Sequence, residues 1–154
     1  MAQASAGILL YKREGGKLRV LLVHPGGPFW AKKDLGAWSI PKGEYADGED
    51  PAAAALRECE EELGQRLQGN LVPLGEARQP SGKRVVAYAL EGDFDVSRLC
   101  SNSFEMEWPP RSGRRQSFPE VDRAAWFVLD DARSRIHSGQ KVFLDRLAER
   151  IGTA

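Results

Sequence analysis

The chain has 154 residues, of which 42% are hydrophobic and 29% are charged, a composition typical of one globular domain and not of a disordered segment. Lysine plus arginine equals aspartate plus glutamate at 22 each, so no overall basic field is available to hold an extended nucleic acid. We therefore expect a single domain over residues 1–154 that has no extended nucleic acid as a partner.

The first third of the chain predicts a β-hairpin followed by a loop. The apolar segments 6–11 and 18–24 favour strands, and the polar stretch between them contains a Gly-Gly pair suited to a tight turn. Glycines and prolines in residues 25–36 predict a loop that carries aromatic side chains. Residues 38–40 predict a short strand, which ends at the following proline.

A helix is specified at both ends over residues 51–63. Asp50 is a favourable N-cap, Pro51 suits the first helical position, and Gly64 supplies a residue that adopts the left-handed conformation. We expect this helix to begin and end close to these signals.

The remaining elements alternate strands and short helices. The segments with strand character are 71–78, 84–91, 104–108 and 125–129, and those with helical character are 130–136 and 141–151. An arginine-rich loop is expected at 109–115.

Three glutamates of the predicted helix point the same way. At about 100° per residue, Glu58, Glu61 and Glu62 share an arc roughly 100° wide. Such like charges repel each other, and Mg²⁺ would offset this because it prefers carboxylate oxygens and leaves places for phosphates and water. A solvated acidic face is the alternative that the spacing of three glutamates alone leaves open.

The small number of cysteines indicates a reducing compartment. Cys59 and Cys100 are too few for a disulfide framework. No charged start is followed by the long apolar run of a signal peptide or membrane anchor. We expect a cytoplasmic protein with no membrane partner, and the sequence leaves its oligomeric state open, a homodimer included.

The longer pattern around the helix resembles the Nudix box. Gly43 is followed after five residues by Glu49 and, after seven more, by the sequence Arg-Glu-Cys-Glu-Glu-Glu-Leu-Gly at 57–64. Two positions depart from the family pattern, since Cys59 and Gln65 stand where aliphatic residues are usual. The flanking hairpin, the Trp-Ser-Ile-Pro-Lys-Gly stretch and the late Trp-Phe strand also look like this family.

This resemblance implies a fold, a metal and a reaction. The fold would be an α/β/α sandwich with a mixed, curved β-sheet. Glu58, Glu61 and Glu62 would be the metal ligands, with Mg²⁺ as the ion and Mn²⁺ as its alternative, while Arg57 and Glu49 would pair to brace the loop against the helix. Water would attack a phosphorus of a diphosphate without a covalent intermediate.

The expected catalytic groups include one glutamate outside the box. Members of the family often recruit such a residue from another loop, and Glu120 is the best-placed candidate, with Glu105 and Glu107 as competitors. Glu44 is a further acid in the loop, and the sequence is equally consistent with a role at the site and with a solvent-exposed side chain. The predicted catalytic set is Glu61, Glu58, Arg57 and Glu120.

Substrate contacts are expected from cations and aromatic rings near the box. Lys42 resembles the lysine of Pro-Lys-Gly segments that contact phosphates, and Gly43 would allow close approach of the backbone. Trp38 and Trp30 are the candidate surfaces for a nucleobase. Other candidates for an anionic tail are Lys83, Arg84, Arg111, Arg114 and Arg115. We expect His24 and His137 to be structural.

The preferred substrate is a nucleoside diphosphate linked to another group, with nucleoside triphosphates and dinucleoside polyphosphates first. ADP-ribose is an alternative, because ADP-ribose hydrolases of the family often have a proline about fifteen residues past the box, where this chain has Pro80 in a turn-like segment. The other alternative is a catalytically silent domain that senses a nucleotide.

Overall fold

A computed structural model describes residues 4–152. It begins with the predicted hairpin, whose strands β1 (Ala4–Glu14) and β2 (Lys17–Pro25) extend beyond the predicted apolar segments. Gly15 and Gly16 form the turn with positive φ angles of 61° and 77°. The two glycines thus supply the backbone conformation that a two-residue hairpin turn requires.

One mixed sheet forms the middle layer of the fold. Besides β1 and β2, its strands are β3 (Lys42–Glu44), β4 (Val72–Arg78), β5 (Arg84–Glu91) and β8 (Val121–Val128). The strands run in the order β4-β5-β1-β2-β8, and β3 pairs with the N-terminal part of β1. β1 is parallel to β5, whereas the other pairs are antiparallel.

Helices cover both faces of this sheet. Helix α1 (Pro51–Leu63) packs on one face, and its buried residues share a hydrophobic cluster with β1 and β2. Helices α2 (Leu129–Arg135) and α3 (Lys141–Ile151) contribute to the cluster on the opposite face. The expected α/β/α sandwich with a mixed sheet is confirmed.

The capping signals of α1 act as predicted. The Asp50 side chain accepts a hydrogen bond from the Ala52 N–H at 3.3 Å. Gly64 has a φ of 77°, and its N–H donates to the Glu60 carbonyl at 2.7 Å. These local interactions place both ends of the helix at the predicted residues.

Two parts of the prediction were wrong. Residues 38–40 form only isolated bridges, Val23 to Ser39 and Trp38 to Ile136, so this segment is not a strand of the sheet. The sequence also gave no sign of β7 (Arg115–Pro119), which pairs with β6 (Ser103–Glu107) in a separate two-stranded sheet. β7 is polar and largely exposed, so it lacks the alternation that predicts a half-buried strand.

Within residues 4–152, no helix is both long and apolar enough to cross a membrane.

Candidate functional site

Gly43 lies directly against the side chain of Glu58. A Cβ built on Gly43 would overlap the carboxylate of Glu58, so the loop before α1 can approach the helix only because residue 43 has no side chain. This contact fixes the position of the first glutamate of the acidic face.

Arg57 contacts two carboxylates, one in the loop before α1 and one on α1 itself. It forms an ion pair with Glu49 and a second one with Glu58, the latter at 3.2 Å. The other Glu49 oxygen accepts from the Ala46 N–H at 3.3 Å. The hydrogen bond from Arg57 holds the pKa of Glu49 below its usual value. The guanidinium therefore joins the loop to the helix and orients Glu58.

Glu62 lies on the same side of α1, one turn further along. Its Oε1 accepts a hydrogen bond from the backbone N–H of Lys42 at 3.1 Å. Burial raises the pKa of Glu62 to about 8, the Lys42 N–H and ammonium oppose this, and the charges of Glu120 and Glu58 raise it further. Three carboxylates are thus close enough to affect one another in a partly buried place.

A cavity of about 160 Å³ opens beside Glu62. It brings together side chains from four separate parts of the chain, among them two glutamates, of which Glu62 is half-buried, and one lysine. Its lining residues are Val23, Pro25, Ser39, Ile40, Lys42, Glu62, Glu120 and Val121. The cavity therefore presents both carboxylates and an ammonium group to a ligand.

Glu120 reaches this cavity from the bend between β7 and β8. Its N–H donates to the Asn102 carbonyl at 2.8 Å, and its carbonyl accepts from the Gly26 N–H at 2.9 Å. The next residue, Val121, exchanges hydrogen bonds with the Ser101 hydroxyl. The backbone around Glu120 is thus held from two sides, while its side chain is left to face the cavity.

Lys42 provides the positive charge of the cavity. Burial lowers the pKa of Lys42, and the nearby charge of Lys83 lowers it further, whereas Glu62 and Glu44 raise it. Lys83 itself pairs with Glu44 at 2.9 Å. A partly desolvated ammonium of this kind is suited to an anionic ligand such as a phosphate.

Glu61 occupies a different position from the other two predicted ligands. It is exposed and lines a shallow depression near Arg57 and Gly64. The neighbouring Glu60, to which no role was given, accepts a hydrogen bond from the Leu67 N–H at 2.8 Å and so stabilises the turn after the helix. The charges of Glu58 and Glu120 thus act on Glu62, whereas Glu61 lines a separate depression.

The donor set fits a hard divalent cation. Carboxylate oxygens are the ligands that Mg²⁺ prefers, and a cation would offset the burial and, to a smaller extent, the charges of Glu120 and Glu58 that together raise the pKa of Glu62. In the described part of the chain, no three acidic, histidine or cysteine side chains converge closely enough to form a finished metal site. Glu58, Glu61 and Glu62 are the residues of α1 whose carboxylates could hold such an ion.

The two tryptophans predicted to bind a base lie in different environments. Trp38 is only 3% exposed, and it packs edge-on against His24 and Phe127 in the core. This burial argues against a base-binding role for Trp38. Trp30, by contrast, is 39% exposed on the loop after β2.

The competing acids and arginines lie outside the cavity lining. Glu105 pairs with Arg115 at 3.8 Å on the β6–β7 hairpin, and Glu107 accepts from the Arg111 N–H at 2.7 Å. Arg114 is exposed at the same hairpin tip. These side chains therefore lie on the β6–β7 hairpin and do not line the cavity beside Glu62.

Both histidines make structural contacts. His24 is fully buried, and its Nε2 donates to the Lys33 carbonyl at 2.6 Å while Nδ1 contacts Asp122 at 2.8 Å. His137 accepts from the Gly139 N–H at 3.1 Å. Burial lowers the pKa of His137, and the charge of Lys42 adds to this effect.

Comparison with protein-family models gives one family. The model for the NUDIX domain matches residues 1–147, which is nearly the whole chain.

Curated relatives match over shorter stretches. The RNA pyrophosphohydrolase of Rhizobium meliloti is 31% identical over 104 residues, which are 58% of this chain and 57% of that protein. The RNA pyrophosphohydrolase of Rhodospirillum rubrum is 39% identical over 75 residues, or 47% of this chain and 42% of that protein. The chain therefore spans little more than half the length of the first of these relatives, and less of the second.

Solved structures share the fold over the full length. A C. elegans Ap4A hydrolase in a binary complex superposes with a TM-score of 0.66 at 22% identity, covering 97% of this chain and 98% of that one. The NUDIX domain of Shewanella oneidensis NrtR, solved with ADP ribose, gives a TM-score of 0.65 at 17% identity, covering 98% and 89%. At these identities the likeness shows the fold alone.

Proposed function

The chain belongs to the Nudix family, and from that premise we propose that it is a pyrophosphohydrolase that cleaves a phosphoanhydride bond in a nucleoside diphosphate linked to another group. One observation carries the proposal. The cavity beside α1 combines two carboxylates, Glu62 and Glu120, with the ammonium of Lys42. Such a cavity suits a polyphosphate bound to a metal ion, because carboxylates bind the metal and a lysine ammonium attracts the phosphate oxygens.

We assign the carboxylates by their position. Glu58, Glu61 and Glu62 would hold Mg²⁺, with Mn²⁺ as the alternative ion. When bound, the ion supplies charge neutralisation on the phosphoryl oxygens and acidifies the attacking water. Glu120 lines the same cavity and would accept the proton that this water loses.

Other residues of the box would bind or position the reacting groups. Lys42 would contact a phosphate, since its ammonium is partly desolvated at the cavity wall. Gly43 would bring the loop backbone close to the substrate while it makes room for Glu58. Arg57 and Glu49 would hold Glu58 in its productive position through their ion pairs.

The substrate classes can be ordered. Nucleoside triphosphates and dinucleoside polyphosphates come first, since the Ap4A hydrolase of the same fold is named for a dinucleoside polyphosphate, while the names of the RNA pyrophosphohydrolase relatives support pyrophosphate hydrolysis in general. ADP-ribose is second, because the NrtR domain of the same fold was solved with it. Pro80 carries no weight for ADP-ribose, since it lies in the turn that joins β4 to β5. We further propose that the protein acts in the cytoplasm on small nucleotides.

A panel assay tests the proposal against a silent sensor. Phosphate or pyrophosphate release would be measured with Mg²⁺ on ATP, diadenosine tetraphosphate, ADP-ribose and a 5′-triphosphorylated oligonucleotide. We expect turnover of at least one of the first two, and Glu61→Gln should bind nucleotide like the wild type while it turns over far more slowly. Binding without turnover by either protein would favour the sensor and overturn the hydrolase.

A further inference from the structure

Aromatic rings from two distant segments meet at the surface. Phe29 is 61% exposed and Trp30 is 39% exposed, both on the loop after β2. Phe29 packs edge-on against Trp108 of the β6–β7 hairpin, with ring centroids 5.5 Å apart. We call Phe29, Trp30 and Trp108 the aromatic patch. Single exposed apolar side chains are ordinary, but a cluster built from two segments indicates a binding surface.

The loop that carries Phe29 and Trp30 begins at the wall of the cavity that contains the carboxylates. Pro25 lines this cavity, and the Gly26 N–H is hydrogen-bonded to the carbonyl of Glu120. A Cβ on Gly26 would overlap the Pro119 carbonyl, so this close junction depends on the glycine. Phe29 is four positions after Pro25, which limits the distance between their Cα atoms to about 14 Å. The rings thus lie within reach of a ligand whose phosphates occupy the cavity.

The loop that carries the patch is anchored at both ends. At its start Gly26 is held by Glu120, and near its end the Lys33 carbonyl accepts from the buried ring of His24 at 2.6 Å. Asp34 then accepts from the Trp38 indole N–H at 2.8 Å and pairs with Arg135 at 2.6 Å. A loop with these anchors is preorganised, so binding to it loses little conformational entropy.

Positive charge accompanies the rings. The Lys33 ammonium lies 5.0 Å from the Trp30 ring centroid, and Lys32 beside it is exposed. Aromatic faces beside cations suit bases joined to phosphates, because the ring stacks on the base and the cation attracts the anionic backbone.

We propose that the aromatic patch is the nucleobase subsite of the enzyme, with Trp30 as the stacking residue and Lys33 as the nearby cation. The proposal rests on the proposed function, since the phosphates of the same ligand would occupy the cavity of Lys42 and Glu62. It assigns the base to the surface formed by the loop and the hairpin, and not to Trp38, which is buried.

Binding of a matched pair of ligands tests this subsite without turnover. Calorimetry with Mg²⁺ would compare α,β-methylene-ADP with methylenediphosphonate, which has no base, and neither ligand contains a hydrolysable phosphoanhydride. Trp30→Ala should weaken binding of the nucleotide analogue about tenfold and leave methylenediphosphonate within about twofold. Trp30→Phe should restore most of the affinity, because a phenyl ring still stacks. Leu35→Ala is the matched control, since Leu35 is 73% exposed on the same loop.

The outcomes separate the two proposals. Equal loss of both ligands in Trp30→Ala, or no loss of either, would overturn the subsite. If the wild type binds the analogue through Trp30 but hydrolyses no nucleotide in the panel, the subsite stands and the hydrolase is overturned. If it hydrolyses nucleotides while Trp30→Ala leaves KM unchanged, the hydrolase stands and the subsite is overturned. A wild type that binds neither ligand overturns both.

Discussion

Gly43 occupies the place where a side chain would collide with the carboxylate of Glu58. The loop and the helix therefore meet at a point that has no spare room. Any group added at residue 43 has to displace either the loop backbone or the glutamate.

We expect Gly43→Ala to lower kcat by about 10²-fold, the cost typical of a misplacement of about 1 Å in an active site. The overpacking should cost about 1–3 kcal/mol of unfolding free energy. Steady-state kinetics and thermal melting would measure both effects. Gly92→Ala is the control, because a Cβ there meets only the end of Leu10 at 3.4 Å. Full activity in Gly43→Ala would contradict the importance of this contact.

Glu120→Gln should lower kcat by about 10²- to 10⁴-fold, the range expected for loss of a general base. The melting temperature should stay near that of the wild type, because the hydrogen bonds around residue 120 come from its backbone. Glu105→Gln, on the exposed hairpin, is the matched control and should keep its activity. Equal activity of both variants would exclude Glu120 from the chemistry.

The raised pKa of Glu62 predicts how the metal-free protein responds to pH. An acid whose pKa is higher in the folded state than in the unfolded state costs stability when it ionises, so this cost is absent below about pH 4.5 and complete above about pH 8. In the presence of a chelator, Glu62→Gln should melt roughly 5 °C above the wild type near pH 9. The difference should shrink towards pH 5.

Saturating Mg²⁺ provides the check on that experiment. An ion beside Glu62 favours the ionised carboxylate, so the wild type should regain its stability near pH 9 and the Gln variant should not gain. A pH-independent difference between the two proteins would show that Glu62 is not the group responsible.

Loss of the ion pairs of Arg57 should weaken the binding of Mg²⁺. Arg57→Met removes the ion pairs with Glu49 and Glu58, and loss of such supporting contacts typically weakens metal affinity by about 10- to 100-fold. The Mg²⁺ concentration that gives half-maximal rate should rise accordingly, with a smaller change of the rate at saturation. Arg66→Met, an exposed arginine beyond the end of α1, should leave both values unchanged. A loss that high Mg²⁺ cannot repair would contradict the positioning role.

The two cysteines should differ sharply in reactivity. Cys59 is fully buried in α1, and this burial raises the pKa of its thiol, whereas Cys100 is exposed. A thiol reagent should therefore modify one cysteine in the folded protein and two in denaturant. Cys100→Ser should abolish the labelling of the folded protein. Rapid labelling of the native Cys100→Ser variant would show that α1 opens locally.

The parts of the structure that local signals specify could be predicted from the sequence. Asp50, Pro51 and Gly64 determine the ends of α1 through contacts within a few residues, and both ends were predicted. β7 could not be predicted, since it is exposed, polar and paired only with β6. The burial of Trp38 was also missed, because it follows from packing against residues far away in the chain.

In the candidate site, too, the sequence predicted what depends on local spacing and not what depends on long-range packing. The spacing of the box identified Glu58, Glu61 and Glu62, but a helical wheel could not show that Glu61 would be exposed while Glu62 would be half-buried beside Lys42. Glu120 was a candidate only by resemblance. Its arrival at the cavity depends on the pairing of β2 with β8, a long-range register that no local pattern determines.

The hairpin of β6 and β7 forms a sheet of its own, and it contacts the loop after β2 through the rings of Phe104 and Trp108 and through the Pro119 carbonyl beside Gly26. Its tip lies at the opposite end of the hairpin from Glu120, so exchanging the tip for another sequence should leave α1 and Glu120 in place. If the aromatic patch binds the base as proposed, such an exchange would alter selectivity for the organic part of the substrate.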